Sequence, residues 1–235
     1  IADLIQTDAM SIEIGDMLSG YIEAGKTMLI SGGTGSGKTT LLNALADFIP
    51  EGERIVVIED TSELRIGKPN LLASECQTES HSGAVSFNDL LKAALRWRPD
   101  RIILGEVRGE EARTLLDSFN TGHAGSMATI HASSAVKALR RFGELAMRSH
   151  QQSNRDDISA EIAETVQIVV QVGRFARGRK ISEIITVRGY DRAAKLFLYD
   201  TIFDLAGERD NERDNPIVHP INSTSTKREN VHAIA

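Results

Sequence analysis

A chain of 235 residues is long enough for one large or two small domains whose cores need neither disulfides nor metal ions. Apolar residues make up 41% and charged residues 26%, a balance typical of soluble folded proteins rather than of disordered, fibrous or membrane-spanning ones. The net charge of -6 lacks the basic excess of a protein whose main ligand is nucleic acid, so we expect no sequence-specific binding of DNA or RNA.

The single cysteine, Cys76, excludes an intrachain disulfide and a multi-cysteine zinc site, and it fits a reducing compartment, by default the cytosol. No apolar run approaches the roughly 20 residues that span a bilayer, so we expect any membrane contact to be peripheral. The chain starts at Ile1 without an initiator methionine, which indicates a fragment or a processed product. We therefore expect residues 1–25 to be a linker or the remnant of an N-terminal domain.

From residue 26 to about residue 172, short β-rich runs alternate with amphipathic helical segments, the pattern of a parallel sheet covered by helices. The predicted strands are Thr27–Ser31, Arg54–Ile58, Arg101–Leu104 and Ser126–Ile130. The predicted helices are Lys38–Phe48, Phe87–Arg96, Glu110–Asn120 and Ser134–Met147. The sequence therefore predicts an α/β fold with a mostly parallel sheet.

After a polar stretch at Ser149–Asp157, the pattern becomes β-rich and predicts a C-terminal meander on the edge of the main sheet. Its predicted strands are Thr165–Val172, Lys180–Val187 and Lys195–Phe203, with turns at Arg177–Arg179 and Tyr190–Arg192. Residues 207–235 are polar with isolated apolar positions, which predicts a disordered tail. The folded domain is thus predicted to span residues 26–206.

The run Gly32–Thr39 (GGTGSGKT) matches the phosphate-binding P-loop and stands between an apolar strand and a helix, as the motif requires. In such a loop the backbone amides face the phosphates, Lys38 reaches the β and γ phosphates, and Thr39 ligates Mg²⁺. The alternative is a Gly-rich surface turn. The predicted nucleotide-binding residues are Gly33, Thr34, Gly35, Ser36, Gly37, Lys38, Thr39 and Thr40.

Two predicted strands end in carboxylates, and the carboxyl ends of parallel strands face the ligand crevice of an α/β sheet. Glu106 can hold the attacking water and accept its proton, unless it serves only as a charge at a helix N-terminus. Glu59 and Asp60 can bind a metal ion through water, position the nucleophile, or merely cap the following turn. The predicted magnesium site comprises Thr39, Glu59, Asp60 and Glu106.

Two histidines flank the strand at Ser126–Ile130: His123 precedes it and His131 follows it. His131 therefore lies at the predicted catalytic edge, where its imidazole can donate to a phosphate or to Glu106. An isolated histidine is more often structural, so neither residue carries the prediction alone. We expect His131 to sense the γ-phosphate rather than to act as the base. The candidate catalytic residues are therefore Glu106, Glu59 and, as the sensor, His131.

In their order, the P-loop, the acid-tipped strand, the strand ending at Glu106 and the histidine segment resemble the type II/IV secretion ATPase superfamily over Thr27–Val187. The most specific runs are LRWRPDRIILGEVRG at Leu95–Gly109, NTGH at Asn120–His123 and ATIHA at Ala128–Ala132. The runs at Gly178–Ile184 and Gly189–Asp191 fit the TrbB-type conjugal transfer and CpaF-type pilus ATPases. The single Cys76 disfavours the branch with a four-cysteine zinc motif.

The resemblance implies a RecA-like P-loop core, a homohexamer, and ATP and Mg²⁺ as ligands. It also implies a motor for type IV secretion or conjugation that works with inner-membrane components at the cytoplasmic face. Glu59 and Asp60 would form the acid box, Glu106 the catalytic glutamate and His131 the His box. The strand ends in Gly105-Glu106 rather than the Asp-Glu of other P-loop ATPases, which leaves the acidic partner of Mg²⁺ open.

Three alternatives stay open at this point: a Tad-type pilus assembly ATPase, a RecA-like DNA translocase, and a nucleotide-responsive docking ring with little turnover. The resemblance implies that the arginines completing the site come largely from an N-terminal domain, and residues 1–25 contain no Arg or Lys. We therefore expect this chain alone to bind ATP but to hydrolyse it poorly. Arginines close to the motifs serve a subunit interface or are simply solvated, namely Arg96, Arg98, Arg108 and Arg113.

Overall fold

The computed structural model describes residues 1–77, 84–149, 154–176 and 178–206. The strands are β1 (Met28–Gly32), β2 (Ile55–Glu59), β3 (Leu71–Glu75), β4 (Arg101–Val107), β5 (Met127–Ile130), β6 (Ile168–Phe175), β7 (Gly178–Asp191) and β8 (Leu196–Asp204). The helices are α1 (Ala2–Gln6), α2 (Ile12–Glu23), α3 (Lys38–Ala46), α4 (Phe87–Ala94), α5 (Glu111–Asn120), α6 (Ala135–Ala146) and α7 (Arg155–Thr165). Short 3-10 turns at Leu95–Trp97 and Met147–Ser149 follow α4 and α6.

The strands form one sheet in the order β3-β2-β4-β5-β1-β6-β7-β8. The first six strands in this spatial order, β3-β2-β4-β5-β1-β6, run parallel to their neighbours. Strands β7 and β8 follow as an antiparallel extension. The predicted fold class, a mostly parallel P-loop core with a C-terminal β-rich extension, is confirmed. Because β1, β2, β4 and β5 are parallel, the segments that follow them meet at one edge of the sheet.

The sheet separates two hydrophobic clusters, because successive side chains of a strand point to opposite faces. On one face, α4 to α7 pack around residues such as Leu29 of β1 and Phe142 of α6. On the other face, α2 and α3 pack against Ile30 of β1, with Leu18 and Ile22 of α2 fully buried. Residues 12–23 are thus part of this core, while the division of the chain at residues 25 and 206 stays a prediction.

Helix α7 corrects the prediction for the region between α6 and β6. Its N-cap is Asn154, whose side chain accepts a hydrogen bond from the backbone of Asp156, and it buries Ile158 and Ile162. The predicted strand Thr165–Val172 was wrong at its start, because Thr165 ends the helix and β6 begins at Ile168. The helix escaped prediction because its first turn is polar and its apolar pattern is short.

Other boundaries also differ from the prediction. Strand β7 is longer than predicted, so Gly178 and Asp191, both assigned to turns, are its end residues. Strand β4 continues to Val107, which places Glu106 within the strand rather than after it. Helices α1 and α2 and the edge strand β3 were not predicted. The predicted tail at 207–235 lies outside the described residues, as do residues 150–153 of the predicted polar stretch.

Arg101, the first residue of β4, is the largest side chain that is almost completely buried, with 2% of its surface exposed. Its guanidinium forms a bidentate pair with Glu53 and donates to the carbonyl of Ile22 at 2.6 Å, at the end of α2. A third contact reaches the carbonyl of Gly125 at 3.4 Å. Arg101 therefore joins α2 and the segment before β5 to the amino end of β4.

Among the described residues, none of the helices combines the length and the apolar character that crossing a bilayer requires.

Candidate functional site

The P-loop connects β1 to α3, as the motif predicts. Gly37 caps α3 with a φ of 98°, a left-handed conformation that costs glycine little and most other residues much more. Lys38 begins the helix and is 7% exposed. Its ammonium donates to the carbonyls of Gly32 at 3.2 Å and Gly33 at 3.0 Å, so the side chain folds back across its own loop.

The pKa of Lys38 lies below its ordinary value. Burial is the main cause, because it disfavours the charged ammonium; the carboxylate of Glu106 opposes the shift, and the guanidinium of Arg108 adds to it. The lysine is therefore a cation whose surroundings solvate it incompletely. An anion placed in the loop would supply the missing stabilisation.

A β-bulge in β4 orients Glu106. Leu104 pairs with Ala128 and Val107 with Ile130, so the register between β4 and β5 shifts between these two pairs. Such a bulge re-aims the side chains within it. Gly105 lets the two strands approach closely, because a Cβ there would lie 3.1 Å from Cγ of Glu59 on β2, a tight contact. The Gly-Glu sequence at the strand end thus leaves room for the neighbouring acid.

Glu106 stands at the centre of a polar chain that crosses the carboxyl edge of the sheet. Its Oε1 lies 3.0 Å from Nε2 of His131, and its Oε2 accepts from Arg108 at 2.9 Å. Nε2 of His131 also lies 3.4 Å from Nζ of Lys38. Arg108 continues the chain to the carboxylate of Asp60, and these carboxylates raise its pKa. Residues from four separate segments therefore meet at one point.

The carboxylates at the end of β2, on its last residue Glu59 and on the next residue Asp60, make turn-stabilising contacts. Oε1 of Glu59 accepts hydrogen bonds from the backbone amides of Glu63 at 3.1 Å and Leu64 at 3.0 Å, and the residue is 4% exposed. Asp60 accepts from the amide of Thr61 at 3.1 Å and pairs with Arg108 through its other oxygen. The capping role that the sequence left open for these acids is thus present, beside any part they play in the site.

Whether the predicted site could bind Mg²⁺ depends on which oxygen atoms its residues offer as ligands. Within the described residues, no group of three or more His, Cys, Asp or Glu side chains is arranged to hold a metal ion. Mg²⁺ in a nucleotide site needs no such cage, because one or two carboxylates, a hydroxyl, water and substrate phosphates complete its octahedron. Thr39 offers a partly exposed hydroxyl on the first turn of α3, and Glu59, Asp60 and Glu106 offer carboxylates at the ends of β2 and β4, so the donor types match that arrangement.

The two histidines occupy opposite ends of β5. His123 contacts the carbonyl of Ser118 through Nδ1 at 3.1 Å and precedes the strand, away from the P-loop. Among the arginines considered as interface residues, Arg96 and Arg98 are exposed, and Arg113 pairs with Glu161 on α7 at 2.7 Å. Of these histidines and arginines, the structure thus brings His131 and Arg108 to the site. It leaves the others outside it, namely His123, Arg96, Arg98 and Arg113.

Comparison with known proteins agrees with this geometry. A family profile described as "Type II/IV secretion system protein" matches residues 5–187. The chain is 38% identical over 191 residues to the conjugal transfer protein TrbB of Rhizobium radiobacter, covering 80% of this chain and 56% of that protein. It is 43% identical over 166 residues to the type IV secretion system protein PtlH of Bordetella pertussis, covering 68% of this chain and 49% of that protein.

The chain belongs to the type II/IV secretion system protein family. The VirB11 ATPase of the Brucella suis type IV secretion system, solved in complex with sulphate, has a similar fold. The TM-score is 0.65 at 32% identity, covering 73% of this chain and 54% of that one. The chain spans about half the length of the curated relatives it matches.

One arginine of this family member was not singled out from the sequence. Nε of Arg179, on β7, donates to the carbonyl of Gly35 at 2.9 Å, and its Cδ lies 3.2 Å from where a Cβ on Gly37 would stand. The antiparallel extension therefore reaches over the P-loop. Arg179 was assigned to a turn from the sequence. Only its position in Gly178–Ile184, a run typical of the family, could have indicated its importance.

Proposed function

We propose that this chain hydrolyses ATP as the motor domain of a type IV secretion or conjugation system. The observation that carries the proposal is that Nε2 of His131 lies within reach of both Lys38 and Glu106, at 3.4 and 3.0 Å. It joins the phosphate-binding lysine to a carboxylate that can activate water. The names of TrbB, PtlH and VirB11 among the similar proteins favour secretion or conjugation over pilus assembly.

Each residue has a definite part in the proposed reaction. Lys38 would exchange the carbonyls of Gly32 and Gly33 for phosphate oxygens, which carry more negative charge and compete well for an ammonium. Bound Mg²⁺, held by Thr39 and Glu106 either directly or through water, would neutralise charge on the phosphates. Glu106 would orient the attacking water and take its proton, and His131 would report whether a γ-phosphate is present.

The assembly and partners belong to the same proposal. We infer a homohexamer in which arginines outside the described residues complete each site, as the family resemblance implies. Within the described residues, Arg108 is paired with Asp60 and Glu106, and Arg179 binds the carbonyl of Gly35. The ring would act at the cytoplasmic face of the inner membrane, in peripheral contact with other secretion components. The net charge of -6 supports protein partners over nucleic acid.

Phosphate release from ATP in Mg²⁺ tests the proposed function. Lys38→Ala in the complete natural protein should lower turnover to background, because it removes the ammonium that would bind the phosphates. Lys92→Ala removes an exposed lysine of α4 and is the matched control, which should keep wild-type turnover. No phosphate release from the wild-type protein would favour a nucleotide-responsive docking ring. Wild-type turnover in the Lys38→Ala protein would refute the P-loop assignment.

A further inference from the structure

We propose that Gln171 and Glu183, which pair across β6 and β7, are positioning residues that hold His131 in place for ATP turnover. The inference rests on the proposed function and deepens it. In this proposal the antiparallel extension supports the nucleotide site indirectly, because it binds the segment that follows β5 and carries His131. Neither residue reaches the site itself, so both would act through the backbone that carries His131.

Both residues bind the segment that connects β5 to α6. Gln171 and Glu183 are partners in the register of β6 and β7, so their side chains leave the same face of the sheet. Nε2 of Gln171 donates to the carbonyl of Ala132 at 3.2 Å. The carboxylate of Glu183 accepts from the backbone amide of Ala135 at 2.8 Å. One pair of neighbouring side chains thus fixes both ends of this segment.

His131 lies within reach of this restraint. It is the first residue after β5, and the carbonyl that Gln171 binds belongs to the next residue, Ala132. The other end of the segment is anchored by Glu183 at the first residue of α6, beside the N-cap Ser134. Only Ser133 and Ser134 lie between these two anchors. The position of the imidazole between Lys38 and Glu106 therefore depends on where β6 and β7 hold the segment.

Burying this polar pair lowers the stability of the fold. Gln171 is 7% exposed, and its Oε1 finds no hydrogen-bond partner in the part of the chain that the structure describes. Ser31, its register partner on β1, is buried with an unpartnered Oγ within the same described part. Burial also raises the pKa of Glu183, the amide of Ala135 opposes that shift, and Asp204 increases it. Apolar side chains would serve the sheet with less desolvation.

The same hydrogen bonds would also stabilise α6, and a purely structural role must be separated from positioning. A structural role predicts lower stability with unchanged chemistry in the molecules that remain folded. A positioning role predicts a lower kcat with a nearly unchanged KM, because ATP is bound chiefly by the P-loop. Small displacements of a catalytic group have large effects, since about 1 Å can cost about 10²-fold in rate.

The test measures kcat, KM for ATP and the melting temperature of each variant in the complete natural protein. Gln171→Leu should lower kcat about tenfold and change KM less than about twofold, by the reasoning above. Glu183→Leu, which removes the acceptor for the amide of Ala135, should lower kcat in the same way, whereas Glu183→Gln keeps an acceptor and should retain kcat near the wild-type value. Gln171→Met, which is unbranched and of similar length, replaces Gln171→Leu if the leucine variant does not fold.

Gln167→Leu is the matched control. Gln167 also binds a backbone group through its carboxamide, accepting from the amide of Thr27 at 2.7 Å. It lies just before β6, at the end of the sheet opposite the nucleotide edge. This variant should lower the melting temperature without lowering kcat. An equal loss of kcat in both glutamine variants would show a general effect of destabilisation and overturn the proposal.

A double-mutant cycle with His131→Ala decides whether the pair acts through the imidazole. In the His131→Ala background, Gln171→Leu should change kcat by less than about twofold, because the two effects are coupled and nothing remains for Gln171 to position. A full tenfold loss in that background would overturn the inference, as would unchanged kcat in the single variant or in His131→Ala. Absence of turnover in the wild-type protein would instead count against the proposed function, so the two failures are distinguishable.

Discussion

Nε2 of His131 lies 3.0 Å from Oε1 of Glu106, and the same nitrogen lies 3.4 Å from Nζ of Lys38. A ring nitrogen that carries a proton donates to the carboxylate, whereas one with a free lone pair accepts from the ammonium. It cannot do both at once. His131 therefore has alternative partners, and a γ-phosphate that draws Lys38 away would favour its pairing with Glu106.

Replacing Glu106 separates binding from chemistry. Glu106→Gln keeps the shape of the side chain and its contact with Arg108, but it loses the base. We expect ATP affinity within about threefold of wild type and a loss of kcat of about 10²- to 10⁴-fold, the usual contribution of a general base. A binding isotherm in Mg²⁺ beside a phosphate-release assay measures both. Weakened binding with normal turnover would assign Glu106 a structural role.

His131→Ala should slow turnover without preventing ATP binding. The expected loss in kcat is about tenfold, the equivalent of one hydrogen bond to a charged group. The affinity for a non-hydrolysable ATP analogue, relative to ADP, should also fall, because a γ-phosphate sensor distinguishes the two. His123→Ala is the control, since this histidine lies at the other end of β5. The sensor role fails if both variants behave alike.

Arg101→Met should destabilise the fold because it leaves Glu53 and the carbonyl of Ile22 without their cationic donor. Removing one partner of a buried ion pair typically costs about 3 to 5 kcal/mol. Because Glu53 is 29% exposed, we expect the lower end of that range, about 3 kcal/mol, in urea unfolding. Arg192→Met, which removes an exposed pair with Asp157, should leave the unfolding midpoint nearly unchanged.

The thiol of Cys76 should react slowly in the folded chain. Burial, and then the charges of Asp60 and Glu111, raise its pKa from 9.0 to about 11. At pH 8 this shift lowers the thiolate fraction about 100-fold, so alkylation by iodoacetamide should be slower than in urea by about that factor. The folded state binds more protons between pH 9 and 11, so the free energy of unfolding should fall as pH rises through that window. Equal alkylation rates would contradict the assignment.

The P-loop and the order of the core strands could be predicted because both are local. A phosphate-binding loop needs its glycines, Lys38 and flanking strand and helix within a short run of sequence. The carboxyl ends of parallel strands then meet at one edge whatever the details of packing. For this reason the sequence alone predicts that Glu106, His131 and Lys38 lie in one region.

What could not be predicted depends on register and on long-range partners. The bulge that aims Glu106 arises from a shift between β4 and β5 that no local pattern encodes. The pairing of Gln171 with Glu183 exists only after β6 and β7 have set their antiparallel register, which itself shifts at Gln171. Helix α7 escaped because Ile158 and Ile162 alone form its apolar stripe, a signal too short for periodicity to detect.

Strand β4 carries a structural anchor and a chemical group on one short run of backbone. Arg101 at its amino end joins α2 and the segment before β5, and Glu106 near its carboxyl end faces Lys38 and His131. The register between β4 and β5 already shifts between Leu104 and Val107, so losing or gaining one residue between Arg101 and Glu106 would turn one of them to the other face. Insertions and deletions should therefore be tolerated least in Arg101–Glu106, even where single substitutions of its apolar residues are accepted.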